Sequence, residues 1–339
     1  MHNFRRFLLL LIVSLLAVSS LLVAGGRVPF PGTPGPDFDW DVQRVHQQAI
    51  SALQPDLVLL GDSLAEENVD MDLLAQETGL TNYRMGFGGS ASALWYLAIK
   101  NNVLPASHRP KYLVILFRDS EMTAPNYRVG GKLFAALDEY ATPEDALVIE
   151  RAYLQFMNPL DAFAETYLPP YAYRLSFHAI MDRHVYALPF VTMRCGKRCL
   201  DKAMLNVFNF RNNAAPDQVG GSLDPEEHLL YSPAGLDFDA QVDRSFLPEI
   251  IRLSRENDIR LILVRAKTPR FEGTAKPRGL DEYLADLGAY VAANGAWYVD
   301  LSDDSRLALD DFIDNYHVLP EARAKYTQAL AEAILSVIR

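Results

Sequence analysis

The sequence predicts an α/β protein: a three-layer αβα sandwich around a five-stranded, mostly parallel sheet, carrying a mainly helical insertion. Two patterns predict it. Five short runs rich in Val, Leu, Ile or aromatics have the continuous apolar character of strands buried on both faces. Amphipathic helical patterns alternate with them, as expected when helices cover a parallel sheet. The composition agrees: 339 residues, 50% hydrophobic and 22% charged, are enough for one large α/β domain and exclude a disordered or low-complexity chain.

In chain order, Arg5 and Arg6 precede a stretch from Leu8 to Ala24 that carries no charge. Residues 1–26 therefore read as an N-terminal membrane anchor, spanning with residues 7–26, or as a cleaved signal peptide. The small-x-small step Ala17-Val18-Ser19 lies inside the apolar run rather than after it, which favours the anchor. Either reading keeps the arginines in the cytoplasm and exports the rest, giving a periplasmic or otherwise extracytoplasmic domain. Residues 27–36, with PFPGTPGP at Pro29–Pro36, form a stiff spacer, and 37–339 form the folded domain.

Strands are predicted at Asp56–Leu60, Tyr83–Phe87, Lys111–Phe117, Arg260–Arg265 and Ala296–Leu301. Helices are predicted at Val42–Leu53, Val69–Glu77, Ala91–Asn102, Gln241–Asn257 and Leu280–Asn294. After Pro320 a final helix repeats Tyr326, Leu330 and Ile334 on one face. Residues from about 120 to 240 break the alternation. They are rich in Tyr, Phe, Pro and Met, with helical stretches near Pro143–Met157 and Tyr173–Tyr186 and a polar, loop-like Asn209–Gly235. This is read as an insertion or cap over the sheet.

The formal net charge of -11, from 43 acidic against 32 basic residues, leaves no basic footprint for a nucleic acid partner. Cys195 and Cys199 are the only cysteines, and in an exported chain an even count favours a disulfide between them. A zinc site needs more ligands than nearby His184 supplies. His178, Asp182 and His184 do not converge on one helix face, so no metal site is expected.

Chemistry is sought beyond the carboxyl ends of the strands, where open α/β sheets build their sites. The first strand runs into Gly61-Asp62-Ser63-Leu64, which places Ser63 at a helix N-terminus with its hydroxyl toward the crevice. Ser63 and Glu66 also match a capping box, S-x-x-E, which needs no catalysis. The second strand ends in Gly86-Phe87-Gly88-Gly89-Ser90-Ala91. That string matches a dinucleotide fingerprint, but it follows the second strand and lacks the acidic residue about 20 positions on. It equally suits a turn that exposes a backbone N–H to an oxyanion. Near the C-terminus, Asp314 stands three residues before His317, in the loop before the closing helix. Asp314 could orient the imidazole while its other nitrogen takes the Ser63 proton.

These three motifs, in this order after these strands, resemble the SGNH (GDSL) hydrolase superfamily. The resemblance covers about half the chain and implies a flavodoxin-like fold and a serine nucleophile that needs no cofactor. It implies Ser63 as nucleophile, Gly89 as oxyanion donor, His317 as base and Asp314 as its orienter. The block after the third strand, normally G-x-N-D, reads Phe117-Arg118-Asp119-Ser120. Asp119 stands where the oxyanion asparagine is expected. An ionised carboxylate about 4 Å from an oxyanion costs on the order of 4 kcal/mol at an effective dielectric of 20. Either Asp119 is protonated or turned away, or Arg118 supplies the donor.

Anchor, spacer and exported domain together are similar to alginate- and teichoic-acid-type accessory proteins that work beside membrane-bound O-acyltransferases. By that resemblance the chain is a serine acyltransferase or acetylesterase held at the inner membrane. It would move an acyl group through Ser63 onto a cell-surface polysaccharide, with a membrane-bound O-acyltransferase as partner. The alternative is a catalytically weak glycan-binding or assembly protein that keeps the fold.

Overall fold

A computed structural model describes residues 2–24, 40–124, 140–152, 230–269 and 275–338, with isolated positions 160, 163, 164, 168, 171 and 271. The spacer, both cysteines, His178, Asp182 and His184, the helix expected near Tyr173–Tyr186 and most of the insertion lie outside the described residues. The chain divides into two compact units, Met1–Gly35 with Tyr153–Asn213, and Pro36–Ala152 with Ala214–Arg339.

The first unit contains helix α1, His2–Ala24. Its large apolar side chains, among them Phe7, Leu9, Leu10, Leu16 and Leu21, are exposed. Counted over the residues whose side chains are described, which on α1 run without a break only from 4 to 18, no helix is long and apolar enough to cross a membrane.

The second unit is an α/β domain on a five-stranded sheet. Its elements are α2 (Trp40–Leu53), β1 (Leu57–Gly61), α3 (Ser63–Glu67), α4 (Met71–Thr78), β2 (Asn82–Gly86), α5 (Ser92–Ala98) and β3 (Tyr112–Phe117). There follow α6 (Ala146–Ala152), α7 (Phe238–Val242), α8 (Leu247–Glu256), β4 (Arg260–Arg265), α9 (Leu280–Ala293), β5 (Trp297–Asp300) and α10 (Arg323–Ile338). The strand order is β2-β1-β3-β4-β5, and every pairing is parallel.

Because side chains alternate across a strand, the sheet feeds two cores. Val58, Leu60, Leu113, Ile115, Leu261 and Leu263 pack with α5, α8 and α9 on one face. Leu57, Leu59, Val114, Leu116, Ile262 and Val264 pack with α3, α4 and α10 on the other. Helices on both faces explain why the strands carry no polar alternation.

Two helices differ from expectation. The stretch expected to be helical over Gln241–Asn257 is two helices, broken at residues 243–246. Pro248 has no N–H for the carbonyl four residues back, so it opens α8 instead of continuing α7. Ser245 seals the break: its hydroxyl donates to the Val242 carbonyl at 2.7 Å and accepts from the Leu247 N–H at 3.2 Å. The stretch expected over Ala91–Asn102 is α5 followed by a π-helical turn at Ile99–Val103. That turn carries Lys100 and Asn101, which both bond Asp145.

The chain passes from β1 to β2 on one side and then crosses to β3 on the other. The crevice therefore opens beyond the carboxyl ends of β1 and β3.

Candidate active site

Ser63 owes its position to the two residues before it. Gly61 ends β1 so close to β3 that a Cβ there would lie 2.6 Å from the Leu116 carbonyl oxygen and 3.0 Å from Ala65 Cβ. Asp62, extended at φ -83° and ψ -152°, caps α3 by accepting from the Leu64 N–H at 2.8 Å. The capping pattern expected on Ser63 thus belongs to Asp62. Ser63 is the first helical residue, with its hydroxyl released from capping.

That hydroxyl meets His317 Nε2 at 2.8 Å, and His317 Nδ1 meets Asp314 Oδ2 at 2.8 Å. A carboxylate only accepts, so Asp314 fixes the proton on Nδ1 and leaves Nε2 to accept from Ser63. Asp314 Oδ1 accepts the Tyr316 and His317 N–H groups, each at 2.7 Å, which sets the loop around the carboxylate. Burial opposes charge on His317. The Asp314 hydrogen bond and the negative charges of Asp314, Glu67 and Asp62 outweigh it and raise the imidazole above its ordinary 6.5.

Asn68, fully buried at the C-cap of α3, ties the serine helix to this loop. Its Nδ2 donates to the Tyr316 carbonyl at 2.9 Å and its Oδ1 accepts the Val318 N–H at 3.0 Å. The bridge crosses some 250 residues of sequence, and no spacing rule announces it.

The glycine turn after β2 closes the other side. A Cβ on Gly86 would lie 2.8 Å from Glu66 Cβ, so β2 and α3 approach only because the residue is glycine. A Cβ on Gly88 would lie 3.8 Å from Ser63 Cβ, so this turn borders the serine. Gly89 has φ +75°, a conformation that favours glycine. Among the described residues neither the Ser63 nor the Gly89 N–H has an acceptor. Phe87 packs edge-on against His46 and Tyr140, and His46 bonds the Tyr83 and Tyr140 hydroxyls at 2.7 and 2.9 Å. Burial lowers the pKa of His46, so one ring nitrogen donates and the other accepts.

Arg118 and Asp119 follow β3 and point to different partners. The Arg118 guanidinium is buried 3.5 Å from Asp62 Oδ2 and 3.6 Å from Glu121 Oε1, and its carbon lies 4.2 Å over the Tyr316 ring. It thereby joins the β1 turn, the β3 turn and the His317 loop. Asp119, at φ +39°, gives Oδ1 to Arg265 at 2.6 and 3.0 Å and accepts the Tyr231 hydroxyl on Oδ2 at 2.6 Å. Both carboxylate oxygens are thus occupied. Arg265 also reaches Asp300 at 2.9 Å, and its pKa is raised despite burial because two carboxylates face it. Asn68, Arg265 and Tyr316 were not foreseen from the sequence. Arg265 had one signal, a charge closing an apolar strand at its carboxyl end.

No family model matches the chain, and no curated protein matches it either. Any assignment therefore rests on the serine, histidine and aspartate and on the sheet that carries them.

Proposed function

We propose that the chain is an exported, membrane-anchored serine acyltransferase or acetylesterase of the SGNH type, acting on cell-surface polysaccharide through an ester on Ser63. The observation that carries this reading is the unbroken hydrogen-bond chain Ser63–His317–Asp314 at the crevice of a parallel sheet. Strand order 2-1-3-4-5 supports the flavodoxin-like form of the fold. The exposed apolar side chains of α1 support anchoring at the inner membrane, beside a membrane-bound O-acyltransferase that delivers the acyl group.

In the proposed reaction His317 Nε2 takes the Ser63 proton as Oγ bonds to the acyl carbonyl carbon. The resulting oxyanion is received by the Ser63 and Gly89 N–H groups. The tetrahedral adduct collapses, the bond to the leaving group breaks, and His317 returns its proton to that group. A sugar hydroxyl then attacks the Ser63 ester, passes its proton to His317, and leaves as the acylated product while Ser63 recovers the proton. Water in place of the sugar gives hydrolysis by the same steps. Arg265 balances the Asp119 charge and the Tyr231 hydroxyl donates to its other oxygen, which lessens its opposition to the oxyanion.

The absence of an asparagine at position 119 favours a second reading, a glycan-binding or assembly protein of weak activity. Full-length protein in detergent, given a soluble acetyl ester and an oligosaccharide, separates them. The account expects acetyl on the sugar in place of free acetate. Sugar binding with no acetyl ester on Ser63 would overturn it in favour of the binding protein.

A further inference from the structure

Apart from the two cores that hold the sheet, Leu230 and Tyr231 form a small buried cluster with Ala91, packed against Ala124 and Phe271. Ala91 is the N-cap of α5, two residues after Gly89. Ala124 closes the short helical turn that follows β3. Its carbonyl accepts from the Ser92 N–H at 3.2 Å and from the Ser92 hydroxyl at 2.8 Å. The two turns that border the crevice are therefore tied together at their far ends.

The Leu230–Tyr231 segment fastens the same two turns. Ser120 Oγ donates to the Leu230 carbonyl, and the Tyr231 hydroxyl donates to Asp119 Oδ2 at 2.6 Å. The Tyr231 ring meets Phe271 edge-on, with centroids 5.0 Å apart. Tyr231 thus reaches the turn after β3 through Asp119 and the turn after β2 through Ala91. Its cluster shares no buried residue with either sheet core, so these contacts hold loops rather than strands. Asp119 has φ +39°, a conformation that few side chains adopt. Such strain persists only where neighbours over-determine it, and it gathers at functional sites. Here the neighbours are Arg265 on Oδ1 and Tyr231 on Oδ2.

We infer that Tyr231 is a positioning residue for the Ser63 reaction. The Asp119 carboxylate fixes its ring, the ring fixes Ala91, and the turn after β2 then presents the Gly89 N–H to the oxyanion. This rests on the reading of Ser63 as an acylated nucleophile.

Tyr231→Phe keeps the ring and removes only its bond to Asp119. The test compares this variant with wild type, both full-length in detergent and below their melting ranges. One readout is the rate at which a fluorophosphonate labels Ser63, and the other is kcat and KM for p-nitrophenyl acetate. Removing a whole oxyanion donor costs about 100–1,000-fold in kcat, so a displaced one should cost about tenfold. Labelling and kcat should both fall by that factor with KM unchanged, as for a contact made only in the transition state. In an Asp119→Ala background the same substitution should lower neither further, because the hydroxyl acts through that carboxylate. Wild-type labelling and kcat in Tyr231→Phe, whatever its Tm, overturn the inference and leave the Ser63 reading standing, a comparison that needs no Asp119 variant to fold. A raised KM with kcat retained overturns it too, as do losses that add in the double variant. A wild type that takes no label on Ser63 sinks the acyl-enzyme reading, and this inference falls with it.

Discussion

Asn68→Ala breaks the bridge between the helix that carries Ser63 and the loop that carries His317. The substitution removes two hydrogen bonds, at 2.9 and 3.0 Å, and takes one partner each from the Tyr316 carbonyl and the Val318 N–H. Each bond contributes about 1 kcal/mol net, and a buried group left unsatisfied costs about 1–3 kcal/mol. The expected loss is about 3 kcal/mol. At about 2–4 °C per kcal/mol for a domain of this size, Tm should fall by roughly 6–12 °C. The serine should respond as well, since His317 sits between the two residues that Asn68 holds. A displacement of about 1 Å in such a group lowers reactivity on the order of 100-fold. The assay is the rate at which a fluorophosphonate labels Ser63 in full-length protein, measured below the variant's melting range. An Asn68→Ala protein with wild-type Tm and labelling rate would refute the reasoning.

Four further outcomes are expected. His317 must be neutral to accept the Ser63 proton, and its pKa is raised above 6.5. Labelling should therefore fall as pH drops through that raised value, and an acid limb centred below 6.5 would contradict the geometry. For stability the sign is opposite. The contribution of protonated His317 is fully present below 6.5 and is lost as pH rises through the folded value, and Asp314→Asn should flatten this slope in a Tm-versus-pH series. Arg118→Ala strands the buried carboxylates of Asp62 and Glu121 and should cost about 3–5 kcal/mol, more than Asp119→Asn. An unshifted denaturant midpoint would show that Arg118 bridges nothing. Gly61→Ala forces a Cβ to within 2.6 Å of a backbone oxygen and should cost about 1–3 kcal/mol, read from the same denaturant curves.

The sheet was legible because parallel strands buried on both faces must be continuously apolar. Arg260–Arg265 was read to the residue, and the other strands to within a residue or two. The helix break at residues 243–246 was missed because the apolar spacing continues through Pro248, although proline chemistry marks a start there. Ser63, His317 and Asp314 were each legible from their place after a strand or before the last helix, and the structure brings the three into one hydrogen-bond chain. The capping pattern misled by one residue, because an extended Asp62 reaches the Leu64 N–H first. Asn68, Tyr316 and Arg265 were not legible as partners, since their contacts join segments far apart in sequence. The fate of the Asp119 charge lay in two such distant partners, Arg265 and Tyr231.

The central claim is that Ser63 is an activated nucleophile. Full-length wild type and Ser63→Ala, treated side by side with a fluorophosphonate and read by peptide mass spectrometry, test it most directly. The account predicts a single adduct on Ser63, absent from a variant whose Tm stays within a few degrees, because Asp62 and not Ser63 caps the helix. A folded wild type that takes no adduct, or takes it on another serine, would contradict the account.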